Sequence, residues 1–203
     1  PRSGEQLNGR PLRCGVVISF CRWVIDLKHQ DTIQKLTVLI PQISEIASLI
    51  KKTVHSGGKV LIFGNGGSAS DSQHIAAEIV GRFVKERKGL PAIALTTDTS
   101  IITAVANDYG YEHIFSRQIE ALCLKIDVVI GISTSGNSKN VIKGLEKANT
   151  LGAITIGLTG GDGGLIKKIS THAIVVDSNE TARIQEAHIL IGHTLCELID
   201  EGQ

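Results

Sequence analysis

The sequence predicts an α/β fold: a three-layer αβα sandwich around a five-stranded parallel sheet, with a helix ahead of it. Three observations point there. From residue 59 onward, strand-like runs alternate with helix-length segments, the pattern that builds a parallel sheet through helical crossovers. Most of these runs are short and continuously apolar, as in strands covered on both faces. Two of them, Val60-Leu61-Ile62-Phe63 and Val128-Val129-Ile130, end in loops of Gly, Ser, Thr and Asn that open into helices.

The elements follow in order. Ile33, Leu36, Ile40, Ile43, Ile46 and Ile50 recur every three or four residues. That period predicts an amphipathic helix over 31–55, with Asp31 or Thr32 as its cap. Pro41 should kink it, and Gly57-Gly58 ends it. Strands are predicted at 59–63, 92–95, 127–132, 153–158 and 173–176. Helices are predicted at 71–85, around 100–106, at 113–122, at 139–151, as a short piece at 164–169, and at 181–200. Residues 1–29 form an atypical N-terminal segment beside a functional domain at 30–203. Within that segment 14–18 fits a weak strand or signal-like stretch.

Composition narrows the function. The chain of 203 residues is 42% hydrophobic but only 3% aromatic, so its core must be aliphatic. The net charge is +1 with Lys and Arg scattered, which gives no nucleic-acid face and no membrane-surface patch. No apolar run reaches the ~20 residues needed to span a bilayer. Cys14, Cys21, Cys123 and Cys196 show no CxxC spacing. They read as reduced, mostly buried thiols of a cytosolic protein.

Two loops carry the chemistry. In Ser133-Thr134-Ser135-Gly136-Asn137-Ser138 the hydroxyls and the following helix suit a phosphate. The plainer alternative is a Ser-rich helix cap. The loop holds no Lys, so a Walker-type nucleotide site is disfavoured. Gly64-Asn65-Gly66-Gly67-Ser68 lacks dinucleotide spacing. Its glycines suit close backbone approach to a ligand, with Asn65 and Ser68 as polar contacts. Beyond it His74 and Glu78 stand at i, i+4, on one side of a helix and one turn from the loop. A surface ion pair is the plainer reading of such a pair. The last helix adds Gln185, His188 and His193. Two His and a Glu suit a metal. Gln185 is an unusual ligand, and it lies roughly 12 Å along the helix from His193.

Segment 64–78, the run from Thr96 to Asn107-Asp108-Tyr109-Gly110, segment 133–138, and Thr181-Ala182-Arg183-Ile184-Gln185-Glu186 with His193 together resemble the bacterial phosphoheptose isomerases. These are the sedoheptulose-7-phosphate branch of the sugar-isomerase (SIS) domain family. The resemblance covers about 30–201. It implies a flavodoxin-like strand order and a cytoplasmic homotetramer with active sites at subunit interfaces. It also implies conversion of D-sedoheptulose 7-phosphate to D-glycero-D-manno-heptose 7-phosphate through an enediol, towards ADP-heptose and the lipopolysaccharide core. By this resemblance Ser68, Ser133, Ser135 and Ser138 hold the phosphate, with Thr134 nearby. Asn65, Gly66, Gly67, Asn107 and Asp108 contact the sugar, joined by Glu78 and Gln185. His74, Glu78, Gln185 and His193 bind one Zn2+ per site, and Glu78 and His193 are the acid/base pair. A non-enzymatic SIS protein of the replication-initiator-associating type, or a sugar-phosphate sensor, would share the scaffold. The presence of both Glu78 and His193 favours the isomerase.

Overall fold

The computed structural model describes residues 14–201, with side chains described from residue 24. The sheet has five parallel strands: β1 (Val60–Gly64), β2 (Ala92–Ala94), β3 (Val128–Ser133), β4 (Ile154–Gly160) and β5 (His172–Val176). Their order is β2-β1-β3-β4-β5, as the resemblance implied. The strand order reverses between β1 and β3, so the ligand crevice of such a sheet lies at the carboxyl ends of these two strands. Gly64 and Ile132 are register partners there, which sets the two Gly/Ser loops side by side.

The helices are α1 (Cys14–Lys35), α2 (Ile40–His55), α3 (Gly67–Val80), α4 (Thr99–Tyr109), α5 (Ile114–Leu122), α6 (Lys139–Thr150), α7 (Gly164–Ile169) and α8 (Thr181–Asp200). Side chains alternate along each strand, so two apolar layers form. Val60, Ile62, Ile130 and Leu158 pack with Ile46, Ile50, Ile79 and Ile191 on the face covered by α2, α3 and α8. Leu61, Phe63 and Val129 pack with Phe115, Ile119, Val141 and Leu145 on the other face. Phe63 and Phe115 stack at 4.8 Å. Each such side chain, fully buried, contributes about 1.5–3 kcal/mol. The predicted three-layer sandwich is what the chain forms.

Three boundaries differ from the sequence reading. Helix α1 begins at Cys14 and crosses residue 29 without a break, so 14–18 is helical and not a strand. The predicted 31–55 helix is two helices joined by a 3-10 turn, Leu36–Leu39, with Pro41 in the first turn of α2. Pro lacks an N–H, and a helix start needs none, so the chain restarts there where a kink was expected. Thr32 is no cap; its hydroxyl donates to the Lys28 carbonyl at 2.9 Å. Helix α3 starts at Gly67, four residues earlier than predicted, and ends at Val80. The expectations for residues 1–13, and for the side chains of Cys14 and Cys21, lie outside the described residues.

By length and mean hydropathy the stretch Val24–His55 meets the requirement of a membrane span. Yet Leu36, Ile43, Ile46, Ala47 and Ile50 within it are buried in the core. Helix α8 also spends most of its apolar surface inside the chain, burying Ile184, Ala187, Ile191, Leu195 and Ile199.

Candidate functional site

The loop after β3 gathers three hydroxyls. Ser133 Oγ lies 2.9 Å from Ser138 Oγ and 3.5 Å from Ser135 Oγ. Ser135 Oγ also accepts from the Asn137 N–H at 3.2 Å. Ser138 is the N-cap of α6 and makes no side-chain cap bond, so the first N–H groups of that helix face the loop. Hydroxyls at a helix N-terminus form a seat for a dianion. Thr134 and Ser135 line an open pocket of about 430 Å³, with Gly160, Asp162 and Thr181 on its far side. Ser68, in the first turn of α3, is buried beneath the neighbouring loop.

That neighbouring loop depends on glycine at two positions. Gly66 has φ +56 and ψ −120, a conformation nearly closed to side chains with a Cβ. At Gly67 a Cβ would sit 2.4 Å from Gln185 Nε2. The Gln185 amide therefore lies directly over the loop backbone. Asn65 makes a reciprocal amide pair with Asn140, both bonds 2.8 Å, and accepts from the Tyr111 hydroxyl at 3.1 Å. Asn107 and Asp108 sit exposed at the end of α4, with the Asn107 amide donating to the Asp108 carboxylate at 2.8 Å.

The His/Glu set forms a second cluster. His74 Nε2 lies 3.2 Å from Glu78 Oε1. The rings of His74 and His193 meet edge to face at 5.0 Å, and Phe83 stacks on His193 at 5.4 Å. So α3 and α8 place His74 beside both Glu78 and His193. Their distance from the loop is greater than expected. Because α3 starts at Gly67, His74 is two turns in and Glu78 three, roughly 10 and 16 Å along the axis. Gln185 is not drawn into this cluster; it stays two turns away on α8, over Gly67.

Two imidazoles and a carboxylate are a fitting donor set for zinc. Among the described residues no group of three or more His, Cys, Asp or Glu side chains has the spacing of a closed metal site. The donors match by chemistry and by neighbourhood.

His188, the other histidine of α8, belongs to the core. It is fully buried, and its Nε2 donates to the Thr159 carbonyl at 3.1 Å. Burial pushes its pKa down to about 4, with the Thr159 bond pulling weakly the other way. It is therefore neutral near pH 7.

A buried ion pair, absent from the sequence reading, braces the second cluster. Arg87 Nε meets Asp200 Oδ1 at 2.5 Å, with the two side chains 3% and 2% exposed. The Arg87 guanidinium also donates to the Glu78 carbonyl at 3.1 Å and the Ile79 carbonyl at 3.0 Å. Asp200 accepts from the N–H groups of Val84 and Lys85. The end of α3, which carries Glu78, is thus tied to the end of α8, which carries His193. Arg87 sits in a run of charges, Lys85-Glu86-Arg87-Lys88, that reads as a solvated loop.

Comparison with known proteins points one way. The SIS domain family matches residues 28–160. The phosphoheptose isomerase of Aquifex aeolicus is 62% identical over 160 residues, covering 79% of this chain and 84% of that protein. Phosphoheptose isomerase 1 of Campylobacter jejuni is 55% identical over 175 residues, covering 86% and 94%. Among solved structures, phosphoheptose isomerase GmhA from Neisseria gonorrhoeae superposes with a TM-score of 0.85 at 41% identity, covering 90% of this chain and 98% of that one. The phosphoheptose isomerase from Francisella tularensis gives 0.86 at 38% identity, with coverage of 91% and 98%.

Proposed function

The chain belongs to the phosphoheptose isomerases of the SIS domain family, and we propose that it interconverts D-sedoheptulose 7-phosphate and D-glycero-D-manno-heptose 7-phosphate, feeding ADP-heptose and the lipopolysaccharide core. One observation carries the reading beyond the family name. The substrate has its phosphate on C7 and reacts at C1 and C2, at opposite ends of the chain. Ser68, assigned to the phosphate seat, and the His/Glu pair are likewise separate along α3. A short sugar phosphate would not need that separation.

The chemistry moves one proton between C1 and C2 through an enediol, which needs groups able to take and return it. Glu78 and His193 are that pair. The serine loop binds the phosphate equally in the ground and transition states, and Asn65, Gly66, Gly67, Asn107 and Asp108 orient the sugar. His74, Glu78 and His193 would hold a zinc ion, and Gln185, which lies over Gly67 in this chain, would join them only from a second subunit. When bound, zinc supplies an electrophile for the sugar oxygens.

The assembly we propose is a homotetramer. Apolar side chains left on the surface support it, notably Val38 at 79% exposure, with Ile40 and Val84. Where such side chains gather into one patch, they mark a subunit contact. We place the protein in the cytoplasm. Cys123 and Cys196 are buried free thiols, pushed up to about 11 and about 12 by burial, as suits a reducing compartment. Cell fractionation that recovers it from the periplasm would overturn this.

The test is an isomerisation assay on purified protein with and without a chelator, alongside its mass by light scattering. Turnover that falls with chelation and returns with zinc, from a tetramer, is expected. Absence of turnover with zinc restored would favour a non-enzymatic SIS protein, and a monomer would remove the interface site.

Within this reading Ser135→Ala should raise KM more than it lowers kcat, because the hydroxyl acts in both states. The loss in kcat/KM should be about tenfold, the scale of one hydrogen bond to a charged group. Unchanged kcat/KM would remove Ser135 from the phosphate seat.

A further inference from the structure

The hydrogen bonds around Asn65 fix what its amide can do. The Val141 N–H donates to Asn140 Oδ1 at 3.0 Å, so that atom must be the oxygen, and the Asn140 amide cannot be turned over. Asn140 is 3% exposed. Its Nδ2 donates to Asn65 Oδ1, and its Oδ1 accepts from Asn65 Nδ2. The orientation of Asn65 follows from that of Asn140. Asn65 Oδ1 also accepts from Tyr111, and an amide oxygen has two lone pairs. Both are filled. Of its two N–H bonds one is spent on Asn140. What remains is a single N–H.

We infer that Asn140 and Tyr111 are positioning residues that hold Asn65 as a donor of one hydrogen bond, so that it addresses an acceptor oxygen of the sugar and cannot accept from a hydroxyl. The pair also bridges the switch point of the sheet. Asn65 follows β1, Asn140 stands in the first turn of α6 after β3, and Tyr111 comes from the turn after α4. The three close one end of a pocket that Tyr109, Ser138 and Lys139 also line. This inference rests on the isomerase reading.

The test is a double-mutant cycle on kcat/KM. Asn140→Ala is expected to cost about tenfold. Asn65→Ala with Asn140→Ala should be no worse than Asn65→Ala alone, within roughly twofold, as for residues acting through one group. Inhibition by inorganic phosphate should stay within about twofold of wild type in each, since the hydroxyl loop is untouched. Asn65→Asp should fall below Asn65→Ala, because a carboxylate turns an acceptor towards the sugar oxygen. Tyr111 is 58% exposed, so Tyr111→Phe keeps the fold if Asn140→Ala does not, and its smaller loss should vanish on an Asn65→Ala background. Additive losses, or Asn65→Asp as active as Asn65→Ala, would overturn the positioning role while leaving the isomerase reading intact. Absence of turnover in the wild type would overturn the reading itself.

Discussion

Glu78→Gln should lower isomerisation by about 10²–10⁴-fold, the usual contribution of a placed proton-transfer group, and His193→Asn by a similar factor. The geometry explains why the fold should survive. Glu78 is 27% exposed, and its side chain pairs with His74 at 3.2 Å. Gln fills the same volume and can keep a hydrogen bond to His74, yet it cannot take a proton. A change at such a site usually alters stability by about 0.5 kcal/mol or less. Neither change touches the serine loop, and Glu78 lies roughly 15 Å along α3 from Ser68, so inhibition by inorganic phosphate should persist in both variants. Wild-type enzyme should exchange solvent deuterium into the product at C1 or C2, and the variants should not. His193→Asn additionally removes the ring held between His74 and Phe83, so on the proposed zinc reading its zinc affinity should fall too. Near-normal turnover by Glu78→Gln would remove Glu78 from the acid/base pair and leave the proton transfer to another group.

The fold was legible wherever a residue's neighbours along the chain decide its conformation. Val60-Leu61-Ile62-Phe63 and Val128-Val129-Ile130 can only be central strands, and all of them are buried. The start of α3 was hidden because Gly67-Ser68-Ala69-Ser70 has low helix propensity and reads as loop. Its helix is held by Gly66 and by the strand before it, which is tertiary information. That four-residue error shortened the apparent distance from loop to Glu78. Helix α1 was hidden for another reason. Ile25 and Leu27 are exposed, so among its described side chains no apolar stripe gives a period. It docks through polar pairs to α8 instead, Lys28 to Glu180 and His29 to Glu186, partners more than a hundred residues away. Asn140 and Arg87 were missed likewise: each matters through contacts that only the folded chain makes.

Asp200→Asn should give the largest loss of stability, on the order of 3–5 kcal/mol, because it leaves the Arg87 guanidinium buried without its counter-ion. At about 2–4 °C per kcal/mol for a domain of this size, the melting temperature should fall by roughly 10 °C. Burial works against the Asp200 charge, but the Arg87 guanidinium and the N–H groups of Val84 and Lys85 outweigh it and hold the carboxyl below its ordinary value. A carboxyl so lowered stabilises the fold fully above the ordinary aspartate range. That contribution drains away as pH falls through the lowered value. The gap between wild type and Asp200→Asn should therefore be widest near neutral pH and close in acid, as read by denaturant unfolding over a pH series. Replacing both partners with apolar side chains, Arg87→Met with Asp200→Leu, should recover part of the loss. It should not restore full turnover, because the Glu78 carbonyl would still lack its Arg87 donor and the end of α3 would be free to shift against His193. Equal stability of Asp200→Asn and wild type at neutral pH would show that the pair does not brace the helix ends, and a gap unchanged in acid would show that the ion pair is not its source.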